Sequence, residues 1–61
     1  MKLQLEYDPD ADSAYIRLSS EPVIESEEVS EGLMLDYDHA GKIVGIEVLQ
    51  ATTRLPRDIL R

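Results

Sequence analysis

The sequence predicts a mainly β fold: an antiparallel meander of about five short strands, followed by a short C-terminal helical turn. Sixty-one residues are enough for one domain and no more. Apolar and polar residues alternate over short stretches, as they do in strands that bury one face. Turn-forming residues separate these stretches, and no long helical pattern is present to connect parallel strands.

The first two predicted strands form a hairpin around an aspartate-rich turn. Residues 3–7 alternate, with Leu3, Leu5 and Tyr7 on one face. Pro9 then breaks the strand, because proline fixes φ and suits the second position of a turn. Residues 14–18 return as the second strand.

The remaining strands are predicted at residues 23–29, 33–37 and 42–49. The first of these has β-branched ends and a glutamate-rich middle, which favours an edge position where charges block unwanted pairing. The last is the most apolar and is expected to be central. Gly45 lies inside it and indicates either a bulge or close packing of another group over the strand.

The chain divides into an antiparallel β domain at residues 1–50 and a C-terminal tail or short helix at residues 51–61. Ile59 and Leu60 are the apolar pair of this tail and are expected to dock on the open sheet face or on another subunit. One apolar face of a sheet needs a cover, and the tail is short for that purpose. We therefore predict a homodimer, packed face to face or edge to edge.

Charge narrows the classes of partner. The formal charge is −7, from thirteen acidic and six basic residues. Affinity for phosphate comes from Lys and Arg, yet the only basic concentration is Arg54, Arg57 and Arg61, so direct nucleic-acid binding is not expected. No apolar h-region follows Lys2, so a signal peptide is not expected, and no apolar run approaches the roughly 18 residues of a membrane span. A cytoplasmic protein is expected, and the lack of cysteine excludes disulfides.

The turn after the first strand carries Asp8, Asp10 and Asp12 in the alternating pattern that opens a calcium loop. These three carboxylates are the candidate ligands for a divalent metal. Ser13 and Ser19 stand where an EF-hand loop places glycine and a bidentate glutamate, so the rest of that pattern is missing. The alternative is a turn capped by aspartate side chains.

A second polar group, Asp36, Asp38 and His39, has the chemistry for metal binding or acid–base catalysis. However, His39 lies in a predicted turn and is the only histidine, so a site with several histidines cannot form within one chain. No glycine-rich phosphate loop is present. We predict no catalytic residues and no cofactor, and an enzyme is the least favoured class.

Four glutamates mark the candidate partner-binding surface: Glu25, Glu27, Glu28 and Glu31. They suit the docking of a basic partner protein by electrostatic steering and strand addition, while the alternative is a solvated edge. The sequence therefore predicts a protein-interaction module. A small-ligand or divalent-metal-binding domain that uses the Asp-rich turns is the alternative.

Several short motifs follow one another along the chain in a characteristic order: Tyr7-Asp8, Asp12, residues 15–18, residues 35–38, Gly41 and residues 43–48. In this order they resemble a small bacterial and archaeal family known as a domain of unknown function, over most of residues 3–50. The resemblance implies a compact β-rich domain with no catalytic residues to carry over. Some members are encoded beside small toxin-like proteins, so it also implies an antitoxin-like role toward a basic partner.

Overall fold

The computed structural model describes residues 3–60. It contains five strands, one short α-helix and one 3-10 turn, and their bounds are β1 Gln4–Asp8, β2 Ser13–Arg17, β3 Glu25–Ser30, β4 Leu33–Tyr37, β5 Ile43–Leu49, α1 Ala51–Arg54 and the 3-10 turn Arg57–Ile59. The predicted mainly β fold class is confirmed. No helix within residues 3–60 is long and apolar enough to cross a membrane.

All five strands join one antiparallel sheet in the order β1-β2-β5-β4-β3. The order departs from a consecutive meander at one point, because β5 lies between β2 and β4. The predictions that the fifth strand is central and the third is an edge are both confirmed. β3 begins two residues later than its pattern predicted, at Glu25, and continues to Ser30.

Alternation along the strands gives the sheet one apolar and one polar face. The register sets a row of apolar side chains across four strands: Leu5, Ile16, Ile46 and Leu35. That row ends on β3 at Glu27. The opposite face carries a row of different character: Gln4, Arg17, Gly45, Asp36 and Ser26.

The C-terminal segment covers part of the apolar face. Ala51 and Leu60 are buried against Ala14, and three partly buried residues pack around them: Leu5, Tyr7 and Leu55. Leu60 is only 7% exposed whereas its neighbour Ile59 is 42% exposed, so one member of the predicted apolar pair docks on the sheet. The cover therefore lies over β1 and β2, and Leu33, Leu35 and Ile46 stay half-buried.

Candidate functional site

The most exposed part of the sheet is its β3 edge. All six residues of β3 are exposed, and β4 is the only strand within residues 3–60 that pairs with it. Glu25, Glu27 and Glu28 lie on this strand, where the sequence placed the candidate partner-binding surface. An edge strand of this kind presents a row of backbone N–H and C=O groups that the sheet itself does not pair.

Local hydrogen bonds orient two of these glutamates. The Tyr37 hydroxyl donates to Glu27 Oε1 at 3.1 Å, and the backbone N–H of Gly32 donates to Glu28 Oε2 at 3.3 Å. Burial, and then the bond to Glu27, raise the pKa of Tyr37 above its ordinary value of 10.0. Both carboxylates remain on the exposed strand, so they present charge to solvent while held near defined positions.

Glu31 lies in the turn after β3, and its carbonyl oxygen accepts a 2.7 Å hydrogen bond from Arg54 Nη2. Glu31 and Glu28 line a depression of about 470 Å3 together with Ala11, Gly32, Leu49 and Gln50. The β3–β4 turn thus packs beside α1, and the Glu31 carboxylate continues the row of glutamates past the end of β3.

Apolar side chains flank the acidic residues of the edge. Ile24 is 65% exposed, Val23 is 41% exposed and Val29 is 46% exposed. The Ile24 N–H donates to the Tyr37 carbonyl at 2.8 Å, so pairing with β4 extends one residue before β3. At the other end the register shifts between Glu28 and Ser30, which places a bulge at Val29.

A hydrogen-bonded group centred on Asp36 occupies the polar face. The Tyr15 hydroxyl donates to Asp36 Oδ2 at 2.7 Å and the Ser26 hydroxyl donates to Asp36 Oδ1 at 2.6 Å. Burial, followed by the Asp36 hydrogen bond, raises the pKa of Tyr15 above 10.0. Sequence reasoning missed Tyr15 and Ser26, because their link to Asp36 depends on which strands are neighbours. Gly45, which lies beneath the Tyr15 ring, was the available signal.

The aspartates of the β1–β2 turn differ in the hydrogen bonds that they make. Asp8 Oδ1 accepts the Asp10 N–H at 3.0 Å, as in an aspartate-capped turn. Asp12 instead binds the start of α1: its Oδ2 accepts the Thr52 hydroxyl at 2.8 Å and its Oδ1 accepts the Thr52 N–H at 3.2 Å. The Tyr7 hydroxyl also donates to Asp12 Oδ1 at 2.9 Å.

These hydrogen bonds shift the pKa values of Asp12 and Tyr7. The Thr52 hydroxyl bond is the main cause that lowers the pKa of Asp12 below 3.8, and the bond to Asp12 is the main cause that raises the pKa of Tyr7. No group of three or more His, Asp or Glu side chains positioned to hold a metal occurs within residues 3–60. Cation binding by Asp8, Asp10 and Asp12 stays a prediction.

Asp36 and Asp38 make their hydrogen bonds in different parts of the fold. Asp38 Oδ1 accepts the backbone N–H groups of Ala40 and Lys42, both at 2.9 Å. These bonds, led by that from Lys42, lower the pKa of Asp38 below 3.8. His39 is exposed in the same turn. Asp38 therefore closes the β4–β5 turn, whereas Asp36 belongs to the polar face.

The fold and its surface define a class: a small, mainly β domain with a glutamate-rich strand at one edge of its sheet. A family model described as a protein of unknown function, DUF2283, matches residues 4–51. The chain therefore belongs to the DUF2283 family, which confirms the resemblance to a domain of unknown function. No curated protein and no solved structure matches the chain.

Proposed function

We propose that this domain is a protein-interaction module that binds a basic partner protein through the β3 edge. The acidic edge, defined as Glu25, Glu27, Glu28 and Glu31, forms the contact surface. One observation carries the proposal: β3 is an edge strand exposed along its whole length, and it bears three of these four glutamates. The specific role is antitoxin-like, in which binding neutralises a basic, toxic partner.

The distribution of charge supports a basic partner. Seven of the thirteen acidic residues, and none of the six basic ones, fall within residues 18–41, so this segment carries the whole formal charge of −7 and the rest of the chain sums to zero. Residues 18–41 include all of β3 and β4. Because the negative field is concentrated on one side of the sheet, it steers a positively charged protein toward this edge.

The same charge disfavours a second copy of this chain as the partner at β3. Two β3 strands side by side would bring glutamates close to glutamates, and like charges directly opposite one another destabilise strand pairing. The homodimer expected from the sequence stays a prediction, and this argument directs it away from the β3 edge.

Native co-purification with matched variants tests the proposal. The variant E25Q/E27Q removes two charges from β3, and the amide that replaces the Glu27 carboxylate still offers an acceptor to the Tyr37 hydroxyl. The control E6Q/D10N removes the same charge from the β1 side of the sheet, where both residues are also exposed. We expect the wild type and the control to retain a stoichiometric basic protein from the native host, and E25Q/E27Q to lose most of it.

The antitoxin-like role has its own readout. The recovered basic partner, expressed alone, should slow growth, and co-expression of the wild type or E6Q/D10N should restore growth. E25Q/E27Q should restore it poorly. Recovery of equal amounts of partner by both double variants would contradict the proposed surface, and a partner without effect on growth would contradict the antitoxin-like role.

A further inference from the structure

We infer that the partner binds by adding an extended strand beside β3, over a window that begins at Ile24 and ends at Glu28, with cationic side chains at alternate positions. This inference rests on the proposed function and specifies its binding mode. A basic protein could also bind an acidic surface by charge alone. Three features of β3 favour strand addition.

The first feature is the backbone of the edge. β4 pairs with β3 on one side, from Glu25↔Tyr37 to Ser30↔Leu33, and no strand in the described part of the chain pairs with its opposite side. β3 is therefore already extended and held in place before a partner arrives. In strand addition the main-chain hydrogen bonds provide affinity and the alternate side chains provide specificity.

The second feature is the bulge at Val29, which sets one end of the window. A bulge bends its strand, increases the local twist and interrupts regular pairing. An added strand can follow β3 in regular register only as far as Glu28. At the other end, the hydrogen bond from Ile24 to Tyr37 keeps the chain against β4, and the exposed Ile24 side chain offers an apolar contact.

The third feature is the alternation of side chains within this window. Glu25 pairs with Tyr37 and Glu27 pairs with Leu35, so both carboxylates lie on the apolar face of the sheet. The intervening Ser26 lies on the other face, where its hydroxyl already donates to Asp36. The added strand should therefore carry Lys or Arg at positions i and i+2, so that both cations lie beside Glu25 and Glu27.

Three synthetic peptides, each with a central segment of five residues (its core), are added to the 15N-labelled chain to test the inference. The first alternates lysine and valine, the second has the same composition with its lysines contiguous, and the third is the alternating peptide N-methylated at every core amide. N-methylation keeps the charge and removes the backbone donors. We expect the alternating peptide to slow amide exchange and to shift resonances within residues 24–28 of the protein. Its affinity should be at least about tenfold higher than that of either of the other two peptides.

Equal affinity for all three peptides would overturn strand addition, as would the absence of any binding or shifts confined to β1. These outcomes are distinct from failure of the proposed function. If the native basic partner is retained through Glu25 and Glu27 while N-methylation has no effect, the function stands and only the strand-addition mode is wrong. If no basic partner is retained, the proposed function itself fails.

Discussion

The Tyr15 ring lies directly over Gly45, and its hydroxyl occupies the space that a Cβ at position 45 would need. Gly45 lies on the central strand β5 and pairs with Arg17 on one side and Asp36 on the other. The phenol can therefore reach from β2 across β5 to its hydrogen bond with Asp36 on β4. Glycine at 45 permits a side-chain link over three adjacent strands.

Replacing Gly45 with alanine should lower the free energy of unfolding by about 1–3 kcal/mol, because the new methyl group overpacks the space beneath Tyr15. At an unobstructed strand position, the same change would raise stability by about 0.4–1 kcal/mol through the unfolded chain. Urea denaturation of the wild type and G45A, followed by circular dichroism, measures the difference.

The matched control is the same substitution in a Y15A background. Without the ring, most of the cost of G45A should disappear, which gives a coupling energy of about 1 kcal/mol or more between the two positions. A G45A cost that is equal in the two backgrounds would show that the Tyr15 ring is not what requires glycine.

Stability should decline in alkaline solution. The pKa of Tyr15 is raised above 10.0 by burial and then by its bond to Asp36, so the folded state holds the phenol proton more tightly than the unfolded state does. That stabilisation is complete below pH 10 and is lost as pH rises through the folded-state pKa. The pKa values of Tyr7 and Tyr37 are raised as well. Thermal unfolding between pH 8 and pH 12 measures the loss of stability, and tyrosinate absorbance follows the ionisation of the tyrosines over the same range.

The variant D36N separates the contribution of the hydrogen bond from that of burial. The pKa of Tyr15 should fall part of the way toward 10.0, because burial remains while the charged acceptor is lost. The tyrosinate titration should shift in D36N relative to the wild type but not in D36N/Y15F relative to Y15F. Superimposable titrations of D36N and the wild type would contradict the role of Asp36.

Asp12 should be required for the C-terminal segment to stay docked. The variant D12A removes the side-chain acceptor for Thr52, which holds the start of α1 against the turn. The neighbouring Ala51 amide, which is bonded to the Asp12 carbonyl, should therefore exchange with solvent at least about fivefold faster than in the wild type. D12N should have a smaller effect, since asparagine keeps an acceptor and tolerates the positive φ of 51° at this position. The pKa of Asp12 in the folded state lies below 3.8. The stabilisation of the folded state by the ionised carboxylate is therefore present above pH 3.8 and is lost as pH falls through the folded-state pKa.

The neighbouring D10A is the control, since the Asp10 backbone N–H is bonded to Asp8 and survives the substitution. It should leave exchange of the Ala51 amide unchanged. Faster exchange in D10A equal to that in D12A would mean that general disturbance of the turn, rather than the bond to Thr52, controls the docking.

Much of the sheet follows from local sequence patterns, and the contacts missed are those between distant segments. The alternation of Val44, Ile46 and Val48 predicted a central strand, and Gly45 inside it predicted either a bulge or close packing. However, alternation encodes the face of a strand and not its neighbour. The pairing of β2 with β5 was therefore not predictable, and neither was the position of Tyr15 over Gly45. The bond between Asp12 and Thr52 joins residues forty positions apart and is hidden for the same reason.

The candidate partner surface was more accessible to sequence reasoning. A run of glutamates between β-branched residues is a local signature of an edge strand, and the structure places Glu25, Glu27 and Glu28 on that edge. The bulge at Val29 was not predicted, because it arises from the register between β3 and β4 rather than from either strand alone. The window proposed for the partner strand therefore required the structure.

Two adjacent residues near the C-terminus should differ sharply in their effect on stability. Leu60 is buried with Ala14 and Ala51, whereas Ile59 is 42% exposed. L60A should lower the free energy of unfolding by about 2–3 kcal/mol, since it removes buried methyl groups and leaves a cavity against the sheet. I59A should lower it by less than about 1 kcal/mol, because its side chain already contacts water. Urea denaturation compares the two, and equal losses would mean that the C-terminal segment does not cover the apolar face through Leu60.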